Sequence, residues 1–129
     1  KKINNILIKS FYCSNLVLII FYIYPGSIFG QIMYDNPNHD PQITGDFLVS
    51  SNHFYVFALI STIGFLAYHN TKNINFIVKY LFSLSFFLEF SHTIIPNRGF
   101  EWKDLFGNIM GVVIILIVYK IIKKYEKNK

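Results

Sequence analysis

Four stretches of about twenty mostly apolar residues, separated by polar connections, govern what this chain can become. They run over residues 6–24, 47–68, 76–95 and 104–122. A helix needs about 20 predominantly apolar residues to cross the hydrocarbon core of a bilayer, and each stretch is close to that length. A chain of 129 residues has too little interior to hide this much apolar surface from water. Charged residues make up 15% of it, against about 25% in soluble domains. The expected architecture is all-α, a four-helix transmembrane bundle forming a single membrane domain over residues 1–129.

The connections differ in character. "PGSIFGQIMYDNPNHDPQITGD" is long and rich in Pro, Gly, Asn and Asp, which favour turns, so it reads as a loop. "HNTKNIN" is a short turn. Pro96 is expected to end the third helix, with Gly99 in the turn that follows. The tail "KIIKKYEKNK" reads as a basic helix end that frays into solvent. "SIFGQ" is a poor fit to a signal-peptidase site, so the first apolar segment is read as a retained span. The single cysteine, Cys13, excludes an intrachain disulfide and a cysteine metal site.

The formal net charge of +5 reports topology rather than nucleic-acid binding, because no basic patch interleaved with aromatics lies in a soluble context. Lys1, Lys2 and Lys9 flank the first span, and Lys72 and Lys79 flank the turn between the second and third. Lys120, Lys123, Lys124, Lys127 and Lys129 crowd the C-terminus. Four spans put these three groups on one side, opposite a long acidic loop and only Arg98 and Lys103. The positive-inside rule then predicts cytoplasmic termini and outward-facing polar loops in a plasma membrane.

Against this apolar background "LEFSHTIIPNRGFEWKDLFGNIMG", residues 88–111, stands out. Glu89 and His92 are three apart near the outer end of the third helix and share a face. Asp104, Asn108 and Gly111 follow at i, i+4 and i+7 from the outer end of the fourth, and Arg98 lies in the turn between. His53 sits near the outer end of the second helix, just after Asp46. Ionisable groups inside a span are costly, so they face protein or water and pair with one another. Glu89, about two turns inside an apolar helix, needs a partner or a proton. Gly107 and Gly111 form a small-xxx-small pair, read either as a close helix contact or as coincidence. His39 and His69 fall in loops and carry no signal.

The stretch resembles the signature of the VanZ-like family of small bacterial membrane proteins. That signature has a Glu, a Gln three residues on, a Pro, an Arg two beyond it, an Asp heading the next helix, an Asn four later and a Gly three after that. Here the places are Glu89, His92, Pro96, Arg98, Asp104, Asn108 and Gly111. A His followed by aromatics early in the preceding helix is a further feature, and "NHFYVF" with His53 is similar to it. Two departures stand: His92 replaces the Gln, and "VSS" replaces an Asp-Lys pair before the histidine. The resemblance implies a role at the cell envelope, since one branch is associated with resistance to the glycopeptide teicoplanin. It implies no particular reaction.

Three readings remain open. In the first, the polar groups handle a lipid or glycan head group: Arg98 binds an anionic phosphate or carboxylate, and Glu89 and His92 serve as acid and base. In the second, which the sequence favours, Glu89, Arg98 and Asp104 form an ion-pair cluster, Asn108 bridges helices, and the protein is a small accessory subunit with a protein partner in a membrane complex. The third is a metal on His53, Glu89, His92 and Asp104. Helical di-iron proteins need two Glu-x-x-His motifs and this chain has one, so no metal or cofactor is expected. Membrane lipids are the expected surroundings in every case.

Overall fold

A computed structural model describes residues 2–129, with side chains from Asn4 onward. Five helices follow one another: α1 (Lys2–Ile23), α2 (Ile28–Tyr34), α3 (Ser51–Ala67), α4 (Ile74–Ser91) and α5 (Trp102–Lys127). There is no strand among the described residues. The long helices α1, α3, α4 and α5 run antiparallel in chain order and form a bundle. Three of them hold segments long and apolar enough to cross a membrane, Asn4–Ile23, Ile74–Ser91 and Trp102–Lys127; α3 is apolar but shorter, at 17 residues. The chain is a helical membrane protein. Lys1, part of the charge pattern used for topology, lies outside the described residues.

The core is built where all four long helices meet. Phe11 and Leu18 of α1, Phe57, Ile60 and Phe65 of α3, Ile77, Leu81 and Leu88 of α4, and Val112 of α5 are buried together. In lipid these contacts gain little from the hydrophobic effect, so close packing and internal hydrogen bonds have to hold the bundle. The closest packing is between α3 and α5. A Cβ on Gly111 would come within 2.6 Å of the Phe54 carbonyl oxygen, and one on Gly107 within 2.7 Å of the Ser50 carbonyl oxygen. The glycine pair therefore lets two backbones touch. Gly64 instead makes room for an α1 side chain, since a Cβ there would meet the Phe11 ring at 2.7 Å. Asn15 adds a polar tie in mid-bundle, accepting from the Tyr80 hydroxyl at 2.6 Å.

Several boundaries differ from the sequence reading. The long loop after the first span contains a helix. Ser27 starts α2 by accepting from the Gly30 N–H at 3.1 Å and donating to Asp40 Oδ1 at 2.9 Å, and Asp35 ends it in a left-handed conformation. The second span begins at Ser51 rather than residue 47, because Asp46 Oδ1 accepts the Ser51 N–H at 3.1 Å and starts the helix there. The third helix stops at Ser91, ahead of Pro96, as the chain tightens into turns through residue 97. The last helix continues through the basic tail to Lys127 instead of fraying. His69 beside Glu126, at 3.2 Å, ties that tail to the α3–α4 turn.

Candidate functional site: a polar knot at one end of the bundle

The helix order brings four chain ends to one pole: the C-termini of α1 and α4 and the N-termini of α3 and α5. The polar side chains at these ends interlock. His53 is almost fully buried near the start of α3; Glu89 and His92 are buried at the end of α4; Asn108 is buried in the second turn of α5. Asp104 stands at the rim, its side chain 21% exposed.

Glu89 has polar neighbours on three sides. Its Oε1 accepts the backbone N–H of Glu101, the N-cap of α5, at 3.0 Å. This sets the carboxylate at the positive end of α5. Its Oε2 faces His92 Nδ1 at 3.4 Å and His53 Nδ1 at 3.9 Å, yet has no hydrogen-bond partner. His53 Nε2 faces Asp104 Oδ2 at 3.4 Å. The α3–α5 approach that Gly107 and Gly111 permit is what brings His53 level with Asp104 and Asn108.

Tyr22, near the end of α1, is the centre of the knot. Its hydroxyl donates to Asn108 Oδ1 at 2.7 Å and lies 2.9 Å from His53 Nδ1. Its backbone carbonyl accepts from His92 Nε2 at 3.1 Å. Its ring stacks on His92, with centroids 5.4 Å apart. Asn108 Nδ2 faces the Ser85 carbonyl of α4 at 3.4 Å, so this one side chain links α1, α3, α4 and α5. A tyrosine near the end of a span is an ordinary interfacial residue. Nothing in the sequence separates Tyr22 from the other eight tyrosines.

Arg98 is placed differently from the expectation. It joins neither Glu89 nor Asp104: among the described residues it makes no ion pair. Instead Nη2 donates to the Phe21 carbonyl at 3.1 Å and Nε to the Tyr24 carbonyl at 3.4 Å. The last turn of α1 leaves its carbonyls without helical partners and carries partial negative charge, so a guanidinium is a natural cap there. The histidines supply Glu89 with its polar neighbours instead.

Outside the knot, Asp46 Oδ2 pairs with Lys103 Nζ at 3.2 Å, tying the start of α3 to the start of α5. The Ser51 backbone N–H, with help from Lys103, holds the Asp46 carboxyl below its ordinary range.

The knot opens sideways into a cleft of about 620 Å³ between α1 and α3. Its walls deeper in the bundle are apolar: Val17, Leu18 and Phe21 on one side, Val56, Leu59 and Ile60 on the other. Its outer end carries Ser27, Asp40, Gln42, Asn52, His53, His92 and Arg98.

A family model described as VanZ/LLP1 matches residues 9–123. The chain belongs to the VanZ/LLP1 family. No curated protein and no solved structure matches it. In this VanZ/LLP1 protein the residues that carried the resemblance divide in two. Glu89, His92, Asp104 and Asn108 take part in the knot with His53, whereas Arg98 caps α1 at the mouth of the cleft.

Proposed function

We propose that this VanZ/LLP1 protein binds an envelope amphiphile in the cleft between α1 and α3, with its chain along the apolar walls and its polar head at Arg98, His53 and His92. The amphipathic lining of the cleft carries this reading. A cleft of about 620 Å³ is within the range of ligand pockets, about 300–1,000 Å³. Arg98 spends two of its five N–H donors on α1 and keeps three for an anionic group. Asp40, also at the outer end, is held by Ser27 and favours a head that offers a donor as well. The buried knot gives the cleft a rigid floor, which a site needs in order to hold its groups in place.

Lipids extracted from the protein in mild detergent, compared with bulk membrane lipid, test this. One amphiphile class should be enriched, and it should be lost in Leu59→Trp, which fills the cleft, and weakened in Arg98→Gln. Lipid identical to the bulk composition in the parent and both variants sinks the proposal.

The accessory-subunit reading rests on a different observation. Phe86, Phe90, Phe100, Trp102 and Phe106 form a continuous ladder of rings across α4, the connecting loop and α5, with neighbouring centroids 5.0–6.5 Å apart. All but Phe100 are exposed. A photo-cross-linker at Phe90 in intact cells separates its two uses. A discrete protein adduct supports a subunit face, and lipid adducts alone make the ladder part of the interfacial aromatic belt.

A further inference from the structure

We infer that His53, Glu89 and Asp104 form a site for a divalent transition-metal cation, zinc or a close relative, at the floor of the cleft. One ligand atom from each of the three lies within 4.8 Å of the others. They come from three different helices, so the fold rather than any local spacing brings them together; the sequence reading weighed a metal on these residues with His92 and expected none.

The hydrogen bonds around the histidines carry the argument further than proximity. The Tyr22 carbonyl can only accept, so His92 Nε2 is the protonated nitrogen of that ring. The Nδ1 of that ring then faces Glu89 Oε2, which is 3.4 Å away, fully buried and without a hydrogen-bond partner. At His53, the Tyr22 hydroxyl proton goes to Asn108 Oδ1. The contacts of His53 Nδ1 to Tyr22 at 2.9 Å and Asn108 at 3.1 Å are then both satisfied by an Nδ1–H. That leaves the His53 Nε2 lone pair against Asp104 Oδ2, again at 3.4 Å. Twice in one cluster an imidazole nitrogen faces a carboxylate oxygen.

Two acceptors facing each other need a positive charge between them. One divalent cation held there would meet two carboxylates, Glu89 and Asp104, whose charges it balances. Ligands about 2.0–2.1 Å from a tetrahedral metal stand about 3.4 Å apart, the separation of His53 Nε2 from Asp104 Oδ2. The other nitrogen of a metal-bound histidine is usually tied to a carbonyl or other oxygen acceptor, which fixes the ring and its tautomer. Both rings have that tie here. Mixed nitrogen and oxygen donors suit zinc, iron or manganese, and His92 lies beside Glu89 without joining the three-residue set. This inference does not depend on what occupies the cleft.

The test uses the full chain in mild detergent with any affinity tag removed. It is loaded separately with zinc, manganese and cobalt(II) chloride at about pH 7.5, where histidine ligands are largely neutral. After exchange into metal-free buffer, the parent should retain about one equivalent of at least one ion, and its melting temperature should rise on loading. Cobalt should give the visible absorption of a low-coordinate nitrogen–oxygen site, a readout that needs no variant. Glu89→Gln and Asp104→Asn should weaken retention a hundredfold or more. Asp104 is on the rim, so Asp104→Asn carries the test if Glu89→Gln fails to fold. His69→Ala, which removes a second histidine–carboxylate pair at the opposite pole, should leave stoichiometry unchanged. Absence of retention and of any melting shift with all three ions in the parent overturns the site, leaving protons between the acceptors. Metal that departs with His69→Ala but stays in Asp104→Asn overturns it as well.

Discussion

Tyr22 lies nearly parallel to His92, their planes 16° apart, while its hydroxyl reaches across the bundle to Asn108 at 2.7 Å. One side chain of α1 is thus bonded to α5 and stacked on the end of α4. Tyr22→Phe keeps the stack and removes the hydroxyl, leaving Asn108 Oδ1 and His53 Nδ1 with fewer partners. It should destabilise the protein by about 1–3 kcal/mol. A melting temperature in detergent equal to the parent's would mean that the hydroxyl contributes nothing to the knot.

Glu89 and Arg98 share no partner, so their effects on stability should add. A double-mutant cycle with Glu89→Gln and Arg98→Gln is expected to give a coupling within about 0.5 kcal/mol. A coupling several times larger would restore the ion pair that the sequence suggested. Arg98→Ala alone should cost about 1.5–3 kcal/mol through loss of the charged cap on α1.

Gly111→Ala and Gly107→Ala should both lower yield and melting temperature, because each new methyl meets the α3 backbone at under 3.0 Å. Overpacking of this kind costs about 1–3 kcal/mol. Gly45→Ala and Gly99→Ala, where a Cβ meets nothing within 4 Å, serve as controls and should be near neutral. Equal losses at all four positions would show that helix approach is not the cause.

The Asp46–Lys103 tie predicts a pH dependence. The Asp46 carboxyl is held below its ordinary value in the folded chain. Its contribution is therefore complete above the unfolded carboxylate value, about 4, and disappears as pH falls through the lower folded value. Asp46→Asn should lower the melting temperature near pH 6, and the gap from the parent should close in acid. A gap that stays constant through the acid range would assign the loss to something other than the charge.

Topology is open to direct labelling. In a Cys13→Ser background, a cysteine placed by Asn38→Cys should react with an impermeant maleimide from outside intact cells. One placed by Lys127→Cys should react only after the membrane is opened. Reaction at position 127 from outside would invert the orientation drawn from the lysines.

The helices were legible because lipid imposes a length, and an apolar run of about twenty residues has few alternatives. Glu89, His92, Asp104 and Asn108 were legible because polar groups inside spans are costly and stand out. The boundaries of α2 and α3 were less so. A serine cap and one aspartate contact set them, within a segment whose Pro, Gly and Asn content reads as loop. The Arg98 partner was hidden for another reason. It is a pair of backbone carbonyls more than seventy residues away in the chain, and every residue type has a carbonyl. The sequence offered three charges of compensating sign, and pairing them was the natural inference. The fold instead gave the buried carboxylate two histidines and gave the guanidinium a helix end.

The length of α3 has a consequence for the membrane itself. Its 17 residues span about 25 Å, against a hydrocarbon core of about 30 Å. The polar knot begins at its first turn, so the water-facing boundary on this side lies lower than the bilayer's resting thickness would place it. Lipids meet such a mismatch by thinning locally. A bilayer around this bundle is therefore expected to thin beside the mouth between α1 and α3. Such thinning would bring a neighbouring lipid head toward the level of His53 while its tail stays among other tails. The short helix would then make a slope in the membrane, with the cleft at the foot of it.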